Sequence, residues 1–312
     1  MITIASHSGS FHADDVFSLA VLCELYPDSR VVRTRDPQVI AAADFAVDVG
    51  DHWDPARGRF DHHQRGFSGR RPGGAAYASA GLVWLTHGRA FIDLLVPGLS
   101  EERQLQIHDR VDEQLVTFID MTDTGEGNAA PGAYGLSALV DYYNLTRTEE
   151  LQCSDAAAAA ALRLERFTQV TSVVRDMTAR LIAHIAVELS DEAVVLAAER
   201  LDNGRILVLP ASGLGWINVV CREMPEVALV VYPDSTDEHY HLRTVPVEPE
   251  SFKARLDLPS LWSGLRGQHL AQACGVPDAV FCHTACFIAG AGSLEGALDM
   301  AEAALALAPV TP

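Results

Sequence analysis

Basic side chains are scarce in this chain. Arg and Lys together number 23 against 42 Asp and Glu, which leaves a formal charge of −19. A surface so acidic repels a long polyanion and argues against tight, sequence-blind binding of a long duplex. A short or small phosphorylated substrate, held by metal ions and local arginines, stays open. No run of about 20 apolar residues occurs, so no membrane span is expected. No basic-then-apolar leader opens the chain either: strand-like Ile2-Thr3-Ile4-Ala5 starts at once, and a cytoplasmic protein is expected. The six cysteines (23, 153, 221, 274, 282, 286) form no paired framework, as suits a reducing cytosol. Cys282-His283-…-Cys286 resembles a fragment of a zinc site but lacks a second ligand pair, so buried free thiols are expected.

What is present is a globular composition, 48% hydrophobic and 21% charged, in 312 residues. That length exceeds one ordinary core, and two domains are expected, 1–190 and 191–312. The first opens with strand candidates at 2–5, 31–34 and 45–49, separated by helices at 16–26 and 37–42. This alternation predicts a parallel sheet with helices on its faces, an α/β domain. Residues 54–59 read as a turn and 64–74 as a mobile loop. Helices are expected over 75–85, 100–119 and 136–143, with a Gly/Asn/Pro loop at 125–132. Ser154-Asp155 should cap a very long helix that ends near Leu189, with a break at Ser190-Asp191. Beyond it, short apolar runs (193–197, 206–209, 217–221, 227–232, 241–247) predict a smaller α+β domain with a mainly antiparallel sheet. Helices near 266–274 and 293–307 complete it.

Four segments offer metal ligands: His7-x4-His12-x-Asp14-Asp15, Asp48 at a strand end, Asp61-His62-His63, and Thr122-Asp123-Thr124-Gly125. Imidazole mixed with carboxylate suits Mn²⁺, Fe²⁺, Co²⁺ or Zn²⁺ better than Mg²⁺ or Ca²⁺. Each segment has a plainer reading. Asp15 fits a helix cap, Asp48 a turn cap, Asp61-His62-His63 a solvated loop, and Asp120 or Asp51 rivals Asp123 or Asp48. In a parallel sheet, ligands gather at the carboxyl ends of strands, where His7, Asp48 and Asp51 are expected to fall. His62 is assigned to a metal, His63 to proton donation or charge stabilisation, and Asp61 to orienting an imidazole. Arginines 57, 59, 65, 70 and 71 form a basic cluster that would recruit phosphate or lie on a solvated loop.

So assembled, the chain resembles the DHH phosphoesterase superfamily, with His7, His12 and Asp14, then Asp48, then Asp61-His62-His63, then Asp123 as its four motifs. It departs in having His12 where the superfamily usually has an aspartate, with one residue more between it and the first histidine. His-x-Gly-x-Phe-His-x-Asp, Trp-Asp-Pro-Ala-Arg-x-Arg-Phe-Asp-His-His-Gln and Ser-Ala-Gly-Leu-Val-Trp are similar to the melanocyte-proliferating-gene (Myg-type) family. The likeness continues through Gly264-Leu265-Arg266-Gly267 and Phe281-Cys282-His283. The resemblance implies a Rossmann-like catalytic domain and a two-metal hydrolase, with two Mn²⁺ the expected ions and Mg²⁺ among the alternatives. It implies an exonuclease-like phosphodiesterase acting on short RNA or DNA or on nucleotides. Arg266 and His283 look like substrate-side residues, with Arg65 joining them. A small-molecule phosphatase or pyrophosphatase, a non-catalytic metal- or nucleotide-binding regulator, and a homodimer remain further options.

Overall fold

A computed structural model describes residues 1–127, 135–236 and 238–307. The chain forms two compact units, Met1–Ala186 and Val187–Pro312. The first begins with strand β1 (Thr3–Ser6), helix α1 (Ala13–Leu25), β2 (Arg30–Arg33), α2 (Pro37–Ala42) and β3 (Phe45–Val47). A hairpin of two short strands follows, β4 (Trp53–Asp54) and β5 (Arg59–Phe60), closed by a single 3₁₀ turn at Pro55–Arg57. The sheet order is β2-β1-β3-β5-β4. All its pairings are parallel except the β4–β5 hairpin. The fold is therefore α/β, as the alternation predicts. The segment expected to be only a turn, 54–59, supplies the edge of the sheet. Two-residue strands are too short to show a period of two.

Helices α3 (Ser79–Leu95), α4 (Glu101–Val111), α5 (Thr117–Asp123), α6 (Leu136–Asp141), α7 (Arg147–Gln152) and α8 (Ala156–Ala197) complete the first unit and lead into the second. The helix expected at 75–85 begins later and runs further. Residues 70–76 instead fold back on themselves, with Arg71 N–H donating to Ala75 O at 2.9 Å. Beyond residue 85, buried Gly88, Phe91 and Ile92 carry on the apolar stripe begun by Trp84. α3 packs on α1, with Phe17 meeting Trp84 edge-on at 5.9 Å. The helix expected at 100–119 is present as one continuous helical run over 101–123, with α4 joined to α5 by a five-residue π turn at Asp112–Val116, a feature often found at functional sites. The Gly/Asn/Pro loop lies partly outside the described residues.

No break occurs at Ser190-Asp191. α8 continues through it to Ala197, because both polar side chains are used elsewhere: Ser190 Oγ donates to Val187 O, and Asp191 takes the Gly215 N–H. The run 193–197 is thus helical, not a strand. The second unit has β6 (Glu199–Leu201), β7 (Ile206–Val208), α9 (Trp216–Glu223), β8 (Leu229–Pro233), β9 (Tyr240–Thr244), α10 (Gly267–Cys274), β10 (Ala279–Cys282), β11 (Ile288–Ala291) and α11 (Leu294–Ala306). The run 217–221, expected as a strand, is α9. Trp216, Val219 and Val220 are buried at helical spacing, while Asn218 and Arg222 face out. The six strands, β10-β11-β9-β8-β7-β6, are antiparallel except for β7–β8. Apolar clusters cover both faces, one around Trp262 and α11, the other around Trp216 and Val220. The second unit matches the expected α+β domain with a mainly antiparallel sheet.

Candidate metal centre

Three neighbouring parallel strands end at one edge of the first sheet, and each delivers ligand-bearing residues just past its last pair. β1 leads to His7, β3 to Asp48, and β5 to Asp61-His62-His63. Asp48 adopts a left-handed backbone, φ 53°, as does Asp51. That conformation costs roughly 1–2 kcal/mol for an L-residue, although Asp tolerates it better than most. It turns the chain sharply after β3.

The first turn of α1 brings His12, Asp14 and Asp15 to the same place. His12 is the N-cap, and its backbone N–H donates to Asp15 Oδ1 at 2.9 Å, so Asp15 does serve as a first-turn acid. The helix starts at Ala13 rather than Val16, which places Asp14 inside the protein. The last turn of α5 supplies Asp123.

The side chains converge. His7 Nε2 lies 3.2 Å from Asp48 Oδ2 and 3.3 Å from Asp15 Oδ2. His62 Nε2 lies 3.4 Å from Asp48 Oδ1 and 3.1 Å from Asp123 Oδ2. His12 Nδ1 lies 3.6 Å from Asp123 Oδ1. Among the described residues, three groups have ligand atoms all within 4.8 Å of one another: His7, His12 and Asp48; Asp48, His62 and His63; and His12, Asp14 and Asp123. Asp48 is shared by two of them and His12 by two.

These residues fit divalent ions on grounds of their own. Asp14 is completely buried, and among the described residues neither of its carboxylate oxygens has a hydrogen-bond partner. An ionised carboxylate in that position is costly unless a cation faces it. Burial, together with the charges of Asp48, Asp123 and Asp15, pushes its pKa well up. His7 is buried and His62 is partly buried, which disfavours their charged forms, yet the carboxylates of Asp15, Asp48 and Asp123 outweigh burial. They raise His7 to about 9 and His62 to about 10. Asp48 moves the opposite way: burial would raise it, but His62 and His7 hold it below the usual carboxylate range. The carboxylates thus create a place that favours positive charge. Ser79 Oγ, at the start of α3, donates to Asp48 Oδ1 at 3.3 Å.

Asp61 is buried and does not join these groups. Its Oδ1 faces His63 Nδ1 at 2.8 Å and accepts the His63 backbone N–H at 3.1 Å, while Oδ2 accepts the Asp51 N–H at 2.6 Å. Burial alone would raise Asp61, but these hydrogen bonds hold it low. His63, raised by Asp61, is largely exposed. Asp51 is exposed and lines the cleft. Asp120 is in none of these groups. It pairs with Arg71 at 2.8 Å and accepts the Gly81 N–H at 3.0 Å.

The basic cluster read from the sequence divides: Arg57 and Arg59 line the cleft that holds the candidate ligands, whereas Arg65, Arg70 and Arg71 do not. Arg71 is buried between Asp112 and Asp120, Arg70 pairs with Glu126, and Arg59 is spent on the carbonyls of Ala41, Ala43 and Asp44. None of these three is free to recruit phosphate: each is satisfied by the fold around it. Arg57 is exposed beside Asp54. Arg65 is exposed and does not line the cleft of about 1160 Å³ that holds the cluster. In the second unit, His283 lies beyond β10 and is exposed, with its Nδ1 accepting the Ala285 N–H. Arg266 is the N-cap of α10, bridges to Phe281, and is exposed.

Three residues have no role assigned from the sequence: Ser79, Arg35 and Gly81. Ser79 is hidden because the helix starts later than its periodicity suggests. Arg35 follows β2 and lines the cleft, a position visible only once the strand order is known. Gly81 has a signal in Ser-Ala-Gly-Leu-Val-Trp: a Cβ there would meet Asp120 Oδ2 at 2.0 Å, so only glycine lets the two segments approach.

Among the described residues, no helix is long and apolar enough to cross a membrane. A family model, MYG1_exonuc, described as Uncharacterised protein family (UPF0160), matches residues 3–305. The MYG1 exonuclease of Mus musculus is 35% identical over 333 residues, covering 98% of this chain and 85% of its own length. A MYG1 protein of Chlamydia trachomatis is 30% identical, covering 92% of this chain and 90% of its own. Among solved structures, RecJ from Thermus thermophilus in complex with Mg²⁺ aligns at 16% identity with a TM-score of 0.24, over 97% of this chain and 50% of that one. This chain thus spans about half the length of that RecJ. With the match running through both units, the chain belongs to the MYG1 family.

Proposed function

We propose that this chain is a metal-dependent phosphodiesterase that acts, exonuclease-like, on short nucleic acids or nucleotide phosphoesters. The observation that carries the reading is the convergence of His7, His12, Asp14, Asp48, His62 and Asp123 at one edge of the sheet, with both Asp14 oxygens unpartnered among the described residues. The mammalian relatives named MYG1 exonuclease support it. Two divalent ions, when bound, would supply the concentrated positive charge that phosphoester cleavage requires. The mixed imidazole and carboxylate donors favour Mn²⁺, with Fe²⁺, Co²⁺, Zn²⁺ and Mg²⁺ as alternatives.

The chain's own residues do the remaining work. Asp48 reaches both His7 and His62, so it is the natural bridge between the two halves of the centre. Ser79 fixes one of its oxygens. Asp61 holds Nδ1 of His63, which leaves Nε2 to hand a proton to the leaving oxygen. The neighbourhood of His63 is open to solvent, as entry of a strand end requires.

Asp48→Ala and His62→Ala test the reading. Each should abolish Mn²⁺-dependent hydrolysis of short oligonucleotides, beyond the roughly 10- to 100-fold loss typical of an outer-shell partner. Circular dichroism should show the fold retained. Unchanged turnover in either variant would defeat the assignment. Running the wild type on oligonucleotides, mononucleotides and pyrophosphate separates a diesterase from a small-molecule phosphatase.

A further inference from the structure

We propose that Arg35 is the residue that grips a phosphate of the substrate, beside the metal centre and next to His7. The inference deepens the phosphodiesterase reading and rests on it. Four strands of the first sheet run parallel, and three of them end in the ligand residues already described. The fourth is β2, hydrogen-bonded to β1, and the segment after it carries Arg35 to the same edge. Arg35 lines the cleft, with Nη2 3.4 Å from His7 Nδ1 and Nε donating to Ser8 O at 3.3 Å.

Both contacts are long, and among the described residues no carboxylate lies within ion-pair distance of Arg35. In a chain with 42 acidic residues against 23 basic ones, a cation left without a carboxylate at a site rich in them is unexpected. The neighbouring Arg33 behaves differently. It lies over the Phe11 and Phe167 rings, donates to Gly9 O and Ser10 O, and sits 3.5 Å from Asp15. That arginine is structural; Arg35 is exposed and only loosely held.

The imidazole beside it sharpens the point. If Nε2 of His7 serves as a ligand, Nδ1 carries the hydrogen and donates to Ser8 O, 3.3 Å away. Nδ1 then cannot accept from Arg35, and the guanidinium fork loses that acceptor. A fork of parallel N–H groups matches two oxygens of a phosphate, which a lysine ammonium cannot reproduce. The ligand class is therefore a phosphate mono- or diester presented at the metal edge.

The test uses the full-length protein with Mn²⁺ and the variants Arg35→Gln and Arg35→Lys. Binding of adenosine monophosphate, followed by calorimetry, should weaken roughly 10- to 100-fold in Arg35→Gln, the range for a hydrogen bond to a charged group. Arg35→Lys should recover only part of that loss. Mn²⁺ affinity, measured in the same instrument, should be unchanged, which separates phosphate contact from damage to the centre. In turnover, KM for a short oligonucleotide should rise more than kcat falls. Nucleotide affinity equal to wild type in Arg35→Gln overturns the inference, as does a parallel loss of Mn²⁺ binding. A wild type that binds the nucleotide through Arg35 yet cleaves no phosphoester would sink the diesterase reading and leave this inference standing.

Discussion

Replacing Arg71 by alanine would break a buried ion-pair network that lies outside the metal centre. Its guanidinium forks onto Asp112, with Nε–Oδ2 and Nη2–Oδ1 both 2.7 Å, and its Nη1 reaches Asp120 Oδ2 at 2.8 Å. Asp120 is fully buried. Burial pushes its pKa up to about 7, against the pull of Arg71 and of the Gly81 N–H. Truncating Arg71 strands that carboxylate, and breaking one side of a buried pair costs roughly 3–5 kcal/mol. At about 2–4 °C per kcal/mol for a domain of this size, the first unit should melt roughly 6–20 °C lower. The pH dependence has a definite sign. Without Arg71 the folded-state pKa of Asp120 rises further above its unfolded value. The folded variant then binds a proton that the unfolded chain gives up, and this contribution is lost as pH rises. The deficit against wild type should therefore shrink between pH 8 and pH 5. Adding Asp120→Asn should recover part of it at pH 8. Calorimetric scans of the single and double variants measure all three effects. A single variant melting within about 2 °C of wild type, below the range worked out above, would refute the reasoning. So would a deficit that grows on acidification.

Gly81→Ala attacks the same junction from the α3 side. Its Cβ would sit 2.0 Å from Asp120 Oδ2 and 2.8 Å from Arg71 Nη2, so a loss at or above the usual overpacking range of about 1–3 kcal/mol is expected in urea unfolding. A midpoint equal to wild type would show that the contact relaxes freely. His87 tests burial of a neutral imidazole. Burial lowers its pKa from 6.5, its Nε2 has no partner among the described residues, and the Phe45 and Phe60 rings lie 5.7 and 5.4 Å away. A depressed pKa contributes stability above the unfolded value that is lost as pH falls below it. His87→Phe should therefore gain on wild type in urea midpoint between pH 7.5 and pH 5.5. An identical difference at both pH values contradicts this.

The candidate ligand residues are legible because their spacing and their position at strand ends are local properties. His7, Asp48 and His62 each follow a short apolar or alternating run closely, and the parallel sheet brings those ends together. The choice between Asp120 and Asp123 is not legible. It depends on the rotation of α5, which the π turn at 112–116 resets by a residue that no periodicity reveals. The arginines mislead for a similar reason. Arg71 sits in a glycine- and arginine-rich segment that reads as mobile, and its partners Asp112 and Asp120 lie 41 or more residues on. Arg35 carries no signal of its own because its value comes from β2 lying next to β1, a fact of strand order. In the second unit, 193–197 and 217–221 read as strands because a five-residue apolar run has no distinguishing period. Packing of Trp216 and Val220 against the sheet decides for helix at α9.

Anomalous diffraction from crystals grown with Mn²⁺ tests the central claim most directly. Two peaks are predicted in the first unit, with Asp48 touching both and the others among His7, His12, Asp14, His62 and Asp123. Data of good quality with no manganese peak among these side chains, or with one that leaves Asp48 untouched, would contradict the account.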